Sequence, residues 1–294
     1  MTFVALLTKE LRLRLRRERS IWVIIIYLLV MGLLGLLFLS RQNGFSSYVL
    51  SQVGGQLYIL LAAVQLVLIL FITPAFTSTS INGEKDRQTF DLLLCSRLSA
   101  FSLVGGKLVA GLANALLLIA AAIPLFSLVF FFGGVSPAQF VKTTLVFIVT
   151  AIEVGTFGLF FSTILRRPQV STAIAYMFCV IWLLVPWLLI ILLSINPSFL
   201  GGNPGQTAIP WLFAWNPIVA LISTLPIGGT SIGAFYLAGH AISPWRTYSI
   251  VSLIATVILF LLSMWFVKPN PIGRLRSLRR KQPPSTQNQT AVTA

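Results

Sequence analysis

Acidic residues are almost missing: six Asp and Glu stand in 294 residues, against 21 Lys and Arg. Charged residues make up 9% of the chain, where ordinary soluble domains carry roughly 25%. So few charges cannot cover a water-facing surface, which excludes a soluble globular protein. The two cysteines, Cys95 and Cys179, have no metal-binding spacing and form no disulfide framework. A phosphate-cradling G-x-x-x-x-G-K-[ST] loop is also absent. The one Gly-Lys pair, Gly106-Lys107, is followed by Leu108, and Phe101 stands where the first glycine belongs. The chain is therefore expected not to be an enzyme and to hold neither metal nor cofactor of its own.

Apolar residues make up 57% of the chain, and they fall in long runs. A membrane span needs about 20 of them in sequence. Six segments qualify: residues 21–39, 57–76, 108–132, 141–165, 172–195 and 248–267. The basic excess between such runs sets orientation in a bilayer rather than affinity for nucleic acid. With the N-terminus inside, 18 of the 21 Lys and Arg lie inside, and only Arg41, Lys142 and Arg246 lie outside. A seventh span within residues 209–227 would carry Pro210, Asn216, Pro217 and Pro226 and would turn the basic tail outward, so six is the preferred count. The expected fold is an all-α polytopic membrane protein with both termini inside. Residues 268–294 form a basic, disordered tail, and residues 196–245 a long outer loop before the last span. That loop is itself apolar, so short interfacial or re-entrant helices are expected there, with Trp211 and Trp215 as interface anchors. His240, the one histidine, has no candidate nucleophile or acid on its side of the membrane.

Several inner features carry information. In residues 1–20, Val4, Leu7, Leu11 and Leu15 mark one helical face, and Lys9, Arg12 and Arg16 lie away from it. Such a basic amphipathic helix lies flat in the membrane interface; the alternative is that these cations only set topology. The second span turns hydroxylated after a proline, with Thr73, Pro74 and Thr77. Its polar half is expected to face other helices or a water-filled path. Residues 84–95 interleave Glu84, Lys85, Asp86, Arg87, Thr89, Phe90 and Asp91 ahead of a leucine run. The spacing predicts a helix of two to three turns, begun after a break at Asn82-Gly83. So short a helix needs a surface to lie on, and mixed charges around an aromatic suit a protein better than lipid. Glu153 is the one ionisable residue deep in a span. Burying a carboxylate there costs about 2.5–3.5 kcal/mol or more. It is either a substrate, proton or gating site, or polar glue between helices, and Thr150 and Thr156 flank it.

The run from Thr73 to Lys107 resembles the permeases of type-2 ATP-binding cassette (ABC) transporters. Gly83, Glu84, Arg87, Thr89, Asp91, Leu92, Leu93, Leu94, Gly106 and Lys107 match the family pattern. Gln88 and Arg97 depart from it, standing where a small residue and a proline are usual. Asn216-Pro217 resembles the family's element before the last span. The resemblance implies six spans, an N-terminal elbow helix over residues 1–20 and a coupling helix over residues 84–95. It also implies a partner ATPase chain that holds ATP and Mg, a second permease chain, and a place in the inner membrane of a prokaryote. The function so implied is ATP-driven transport, as an exporter, of a substrate the sequence does not name. The rival is a proton-coupled secondary carrier using Glu153; a single buried acid and the lack of an inverted repeat weigh against it.

Overall fold

A computed structural model describes residues 18–40, 47–86, 100–195, 213–225, 235–237 and 240–267. Six long helices dominate. They are α1 (Glu18–Ser40), α2 (Ser47–Thr77), α4 (Ala100–Phe132), α5 (Pro137–Ile164), α6 (Pro168–Ile195) and α8 (Pro244–Val267). Two short ones lie between them, α3 (Asn82–Asp86) and α7 (Pro217–Ile222). Five of the described helices are long and apolar enough to cross a membrane. The helix α1 covers the expected first span, its apolar run extending from Ile21 to Leu39. The chain is thus a helical, polytopic membrane protein. The elbow segment, with Lys9, Arg12 and Arg16, and the tail from residue 268 lie outside the described residues.

At 1.5 Å per residue, the 31 residues of α2 and the 33 of α4 span roughly 45–50 Å, well beyond a hydrocarbon core of about 30 Å. Both helices therefore reach past the bilayer, which carries Lys107 and the turn after Thr77 toward one membrane face.

The start of α5 is written locally. Ser136 is the N-cap, its hydroxyl accepts from the Gln139 amide, and the Gln139 side chain accepts from the Ser136 amide. Pro137 follows at the first helical position, where its missing N–H costs nothing. From there α5 runs through the middle of the bundle and packs on α2, α4, α6, α7 and α8. Its buried face includes Val146, Phe147, Ala151, Val154, Phe157 and Leu159. The apolar side chains of α6 and α8 mostly point outward: Leu184, Leu188, Leu192, Ile254, Leu261 and Trp265 are exposed. Lipid is the solvent that such faces require.

At the end of α2 one local difference from expectation appears. Asn82-Gly83 does not break a helix; it begins α3, and the break falls at residues 78–81. Pro74 lies inside α2, which continues to Thr77 with the Thr77 hydroxyl donating back to the Thr73 carbonyl at 3.0 Å. The outer loop is also not purely helical. β1 (Phe235–Leu237) and β2 (His240–Ile242) pair antiparallel with Leu237 opposite His240, the two strands lying two residues apart as in a tight hairpin.

Candidate functional site

Two constellations stand out: a joint at the end of α2 and a polar cluster in the middle of α5.

The joint begins where α2 stops. Ser80 donates its hydroxyl to the Phe76 carbonyl at 3.0 Å. The amides of Ile81 and Asn82 both donate to the Ser162 hydroxyl of α5, at 2.9 and 3.1 Å. A helix start leaves its first amides without partners, and here a serine of another helix accepts two of them. Lys85 donates to the Thr163 carbonyl of α5 at 2.6 Å. Glu84 forms an ion pair with Lys107 of α4 at 2.6 Å, with the two side chains 26% and 4% exposed. The Ser171 hydroxyl of α6 donates to the Ser78 carbonyl at 2.8 Å, and the Thr172 hydroxyl lies 2.9 Å from that of Ser78. Residues 78–86 are thereby fixed to α4, α5 and α6 together. Asp86 is exposed; Arg87, Thr89, Phe90 and Asp91 lie outside the described residues.

Thr73 and Thr77 are buried, and they face helices. A Cβ on Gly111 of α4 would come within 2.7 Å of Thr77 Cγ2, and one on Gly158 of α5 would overlap the Thr77 hydroxyl and stand 3.1 Å from the Ser78 amide. A Cβ on Gly155 would meet Thr73 Cγ2 at 3.4 Å. Close backbone approach through small residues is the usual way that helices pack in lipid. Gly158→Ala is therefore expected to destabilise the permease by about 1–3 kcal/mol through overpacking, read as a lower melting temperature in detergent. Thr77→Ala in the same chain should recover part of the loss, because it removes one of the two obstacles. A Gly158→Ala chain that melts with wild type would refute the close packing.

The second constellation centres on Glu153, which is fully buried. Trp215 donates its indole N–H to Glu153 Oε1. Tyr248 of α8 bonds to Oε2 at 3.2 Å and lies 2.9 Å from the Thr150 hydroxyl. Thr150 donates to the Val146 carbonyl at 2.7 Å, and Thr156 to that of Ile152 at 2.7 Å. Of the two flanking threonines, then, Thr150 joins the cluster, while Thr156 satisfies its own helix. Phe157, Trp182 and Trp215 pack edge-on and tilted around the same place, with ring centroids 5.9–6.2 Å apart.

Trp215 is thus no interface anchor but part of a segment inserted among the helices. The neighbouring Asn216 is fully buried, caps α7 by accepting from the Ile218 amide, and donates to the Leu183 carbonyl of α6 at 3.1 Å. Thr224, just beyond α7, meets Thr143 of α5 at 2.9 Å. Residues 213–225 are held to α5 at Thr143 and at Glu153, ten residues or about 15 Å of helix apart. The partners Ser162, Trp215 and Tyr248 were not legible from sequence, since no local pattern marks a pair 62 to 95 residues apart.

Residues 41–267 match the family model described as ABC-2 family transporter protein. No curated protein matches the chain.

Proposed function

The chain belongs to the ABC-2 transporter family, and on that premise we propose that this permease is moved through residues 84–95 by a separate ATPase chain. The observation that carries the reading is the joint. Anything that pushes on α3 pushes at once on α4 through Glu84–Lys107, on α5 through Lys85 and Ser162, and on α6 through Ser78. Asp86, Arg87, Thr89, Phe90 and Asp91 supply the contact surface, with Phe90 as the buried anchor and the charges setting register. ATP and Mg belong to that partner. Six spans with both termini inside, supported by the split of the cations, put residues 84–95 on the side where ATP is. Residues 1–20, with Lys9, Arg12 and Arg16, lie along the inner interface as an elbow. A second permease chain completes the transporter, which works as an exporter in the inner membrane of a prokaryote. Thr73 and Thr77, with Pro74 between them, act as a helix contact that transmits the movement, a role supported by the packing of Thr73 on Gly155 and of Thr77 on Gly111 and Gly158.

The test is co-purification with the ATPase. Phe90→Ala combined with Arg87→Glu should lower ATPase recovery on tagged permease by a factor of about thirty, the loss of roughly 2 kcal/mol that a hot-spot anchor carries. Membrane expression should be unchanged. Full recovery of the ATPase on this variant would reject the docking assignment.

A further inference from the structure

The hydrogens around Glu153 do not add up if its carboxyl group is ionised. Three contacts run in series: Glu153 Oε2 to the Tyr248 hydroxyl, Tyr248 to the Thr150 hydroxyl, and Thr150 to the Val146 carbonyl. Each needs one hydrogen. A hydroxyl carries one hydrogen and a carbonyl carries none, so Tyr248 and Thr150 together supply two. The Val146 carbonyl can only accept, so Thr150 spends its hydrogen there. Tyr248 then has to donate to Thr150, and the contact between Tyr248 and Glu153 is left for a hydrogen from the carboxyl group.

We propose that Glu153 is a proton-binding site, and that the bound proton completes a hydroxyl chain tying α5 to α8. In the protonated form the carboxyl O–H donates to Tyr248, Tyr248 to Thr150, and Thr150 to Val146. Trp215 donates to the other oxygen, the carbonyl of the acid, so all four groups are satisfied together. Loss of the proton to water turns the Tyr248 O–H toward Oε2. Thr150 then serves either Val146 or Tyr248, and one contact of the chain is broken.

Among the described residues, the surroundings offer no cation to hold an ionised carboxylate. Of the elements packed on α5, α8 brings Tyr248 and, one turn further, Ser252, whose hydroxyl also faces the Glu153 carboxyl group, while its Arg246 is exposed and lies over Trp245. α6 brings Cys179, and its Tyr176 donates to the Phe71 carbonyl. Tyr58 of α2 stands opposite Thr143, ten residues along α5, and Lys107 of α4 is paired with Glu84. α7 has no titratable side chain. Among the described residues no Lys, Arg or His makes an ion pair with Glu153. The site is independent of the ATPase contact and stands or falls without it.

The experiment is infrared spectroscopy of the full chain in dodecyl maltoside, a detergent without carbonyl groups, at pH 7. Only six carboxyl side chains contribute. Wild type should show a protonated-carboxyl C=O band that shifts in D2O and is lost in Glu153→Gln. In Tyr248→Phe, which removes the acceptor, the band should move to the frequency of a more weakly bonded acid. Glutamine also places a carbonyl toward Trp215 and an N–H toward Tyr248. Its melting temperature should therefore equal that of wild type at low pH and exceed it increasingly as pH rises, because only wild type has a proton to lose. The proposal is overturned if no protonated-carboxyl band depends on Glu153, or if the band is indifferent to Tyr248→Phe. It is also overturned if wild type and Glu153→Gln share one pH profile of melting.

Discussion

A chain carrying Glu84→Lys is expected to lose its joint, and Lys107→Glu added to it is expected to restore part of it. The reversal leaves Lys107 buried without its carboxylate, facing a new lysine with Lys85 alongside. Removing one member of a buried pair costs about 3–5 kcal/mol, since the survivor keeps its charge where water scarcely reaches. The lower end applies here, because a quarter of the Glu84 side chain reaches solvent. Roughly 3 kcal/mol is more than a hundredfold in the population of the seated joint. Lys107→Glu alone should be the more damaging single change, as it buries a carboxylate against that of Glu84, at a side chain 4% exposed. Melting of the purified permease measures the loss, and co-purification with the ATPase measures its transmission. If both single variants melt with wild type, the ion pair does not hold α3; if the double variant is as poor as the worse single one, charge pairing is not what matters.

Gly134→Ala should be nearly as damaging, at the opposite end of α4. Gly133 and Gly134 turn the chain from α4 to α5 with φ of +80° and +84°, a region that costs an L-residue about 1–2 kcal/mol. At Gly134 the added Cβ would also overlap the Ser51 carbonyl oxygen of α2 and stand 3.3 Å from the Gly55 amide. Backbone cannot step aside as a flexible side chain does, so an overpacking cost of about 1–3 kcal/mol is added to the strain. The sum is about 2–5 kcal/mol. Gly133→Ala is the control: it has the same sign of φ but nothing within 4 Å of its Cβ, so only the first cost applies. Equal melting of the two variants would show that the contact with α2 contributes nothing.

Much of the fold was legible because hydropathy marks each long helix. It marked them short, however. Residues 47–56 and 100–107 are helical, yet their serines, glycines and Lys107 lower the apolar signal, so α2 and α4 begin before the expected spans. Asn82-Gly83 misled in another way: the break falls at residues 78–81, and the Ser162 hydroxyl takes up the amides of Ile81 and Asn82. At the sites, sequence gave the acid and its depth but not its donors. Glu153 meets Trp215 across 62 residues and Tyr248 across 95, and such pairings are settled by packing alone. The same limit applied to Trp215, whose composition and place in an outer loop argued for a membrane interface, whereas its indole N–H is spent on a buried carboxylate.

Ser162 also sets an order of events in biosynthesis. It lies 81 and 80 residues downstream of the two amides that it receives. At about 5–20 residues per second, translation needs roughly 4–16 s to cover that distance. For that interval the amides of Ile81 and Asn82 lack the acceptor they use in the finished chain, and α3, five residues long, has too few turns to hold itself. A nascent chain therefore presents an unfinished landing segment until α5 has been made and inserted. On the proposed docking role, an ATPase that reads the finished segment would leave half-made permeases alone, and a hydroxyl on the central helix would act as the quality check on recruitment.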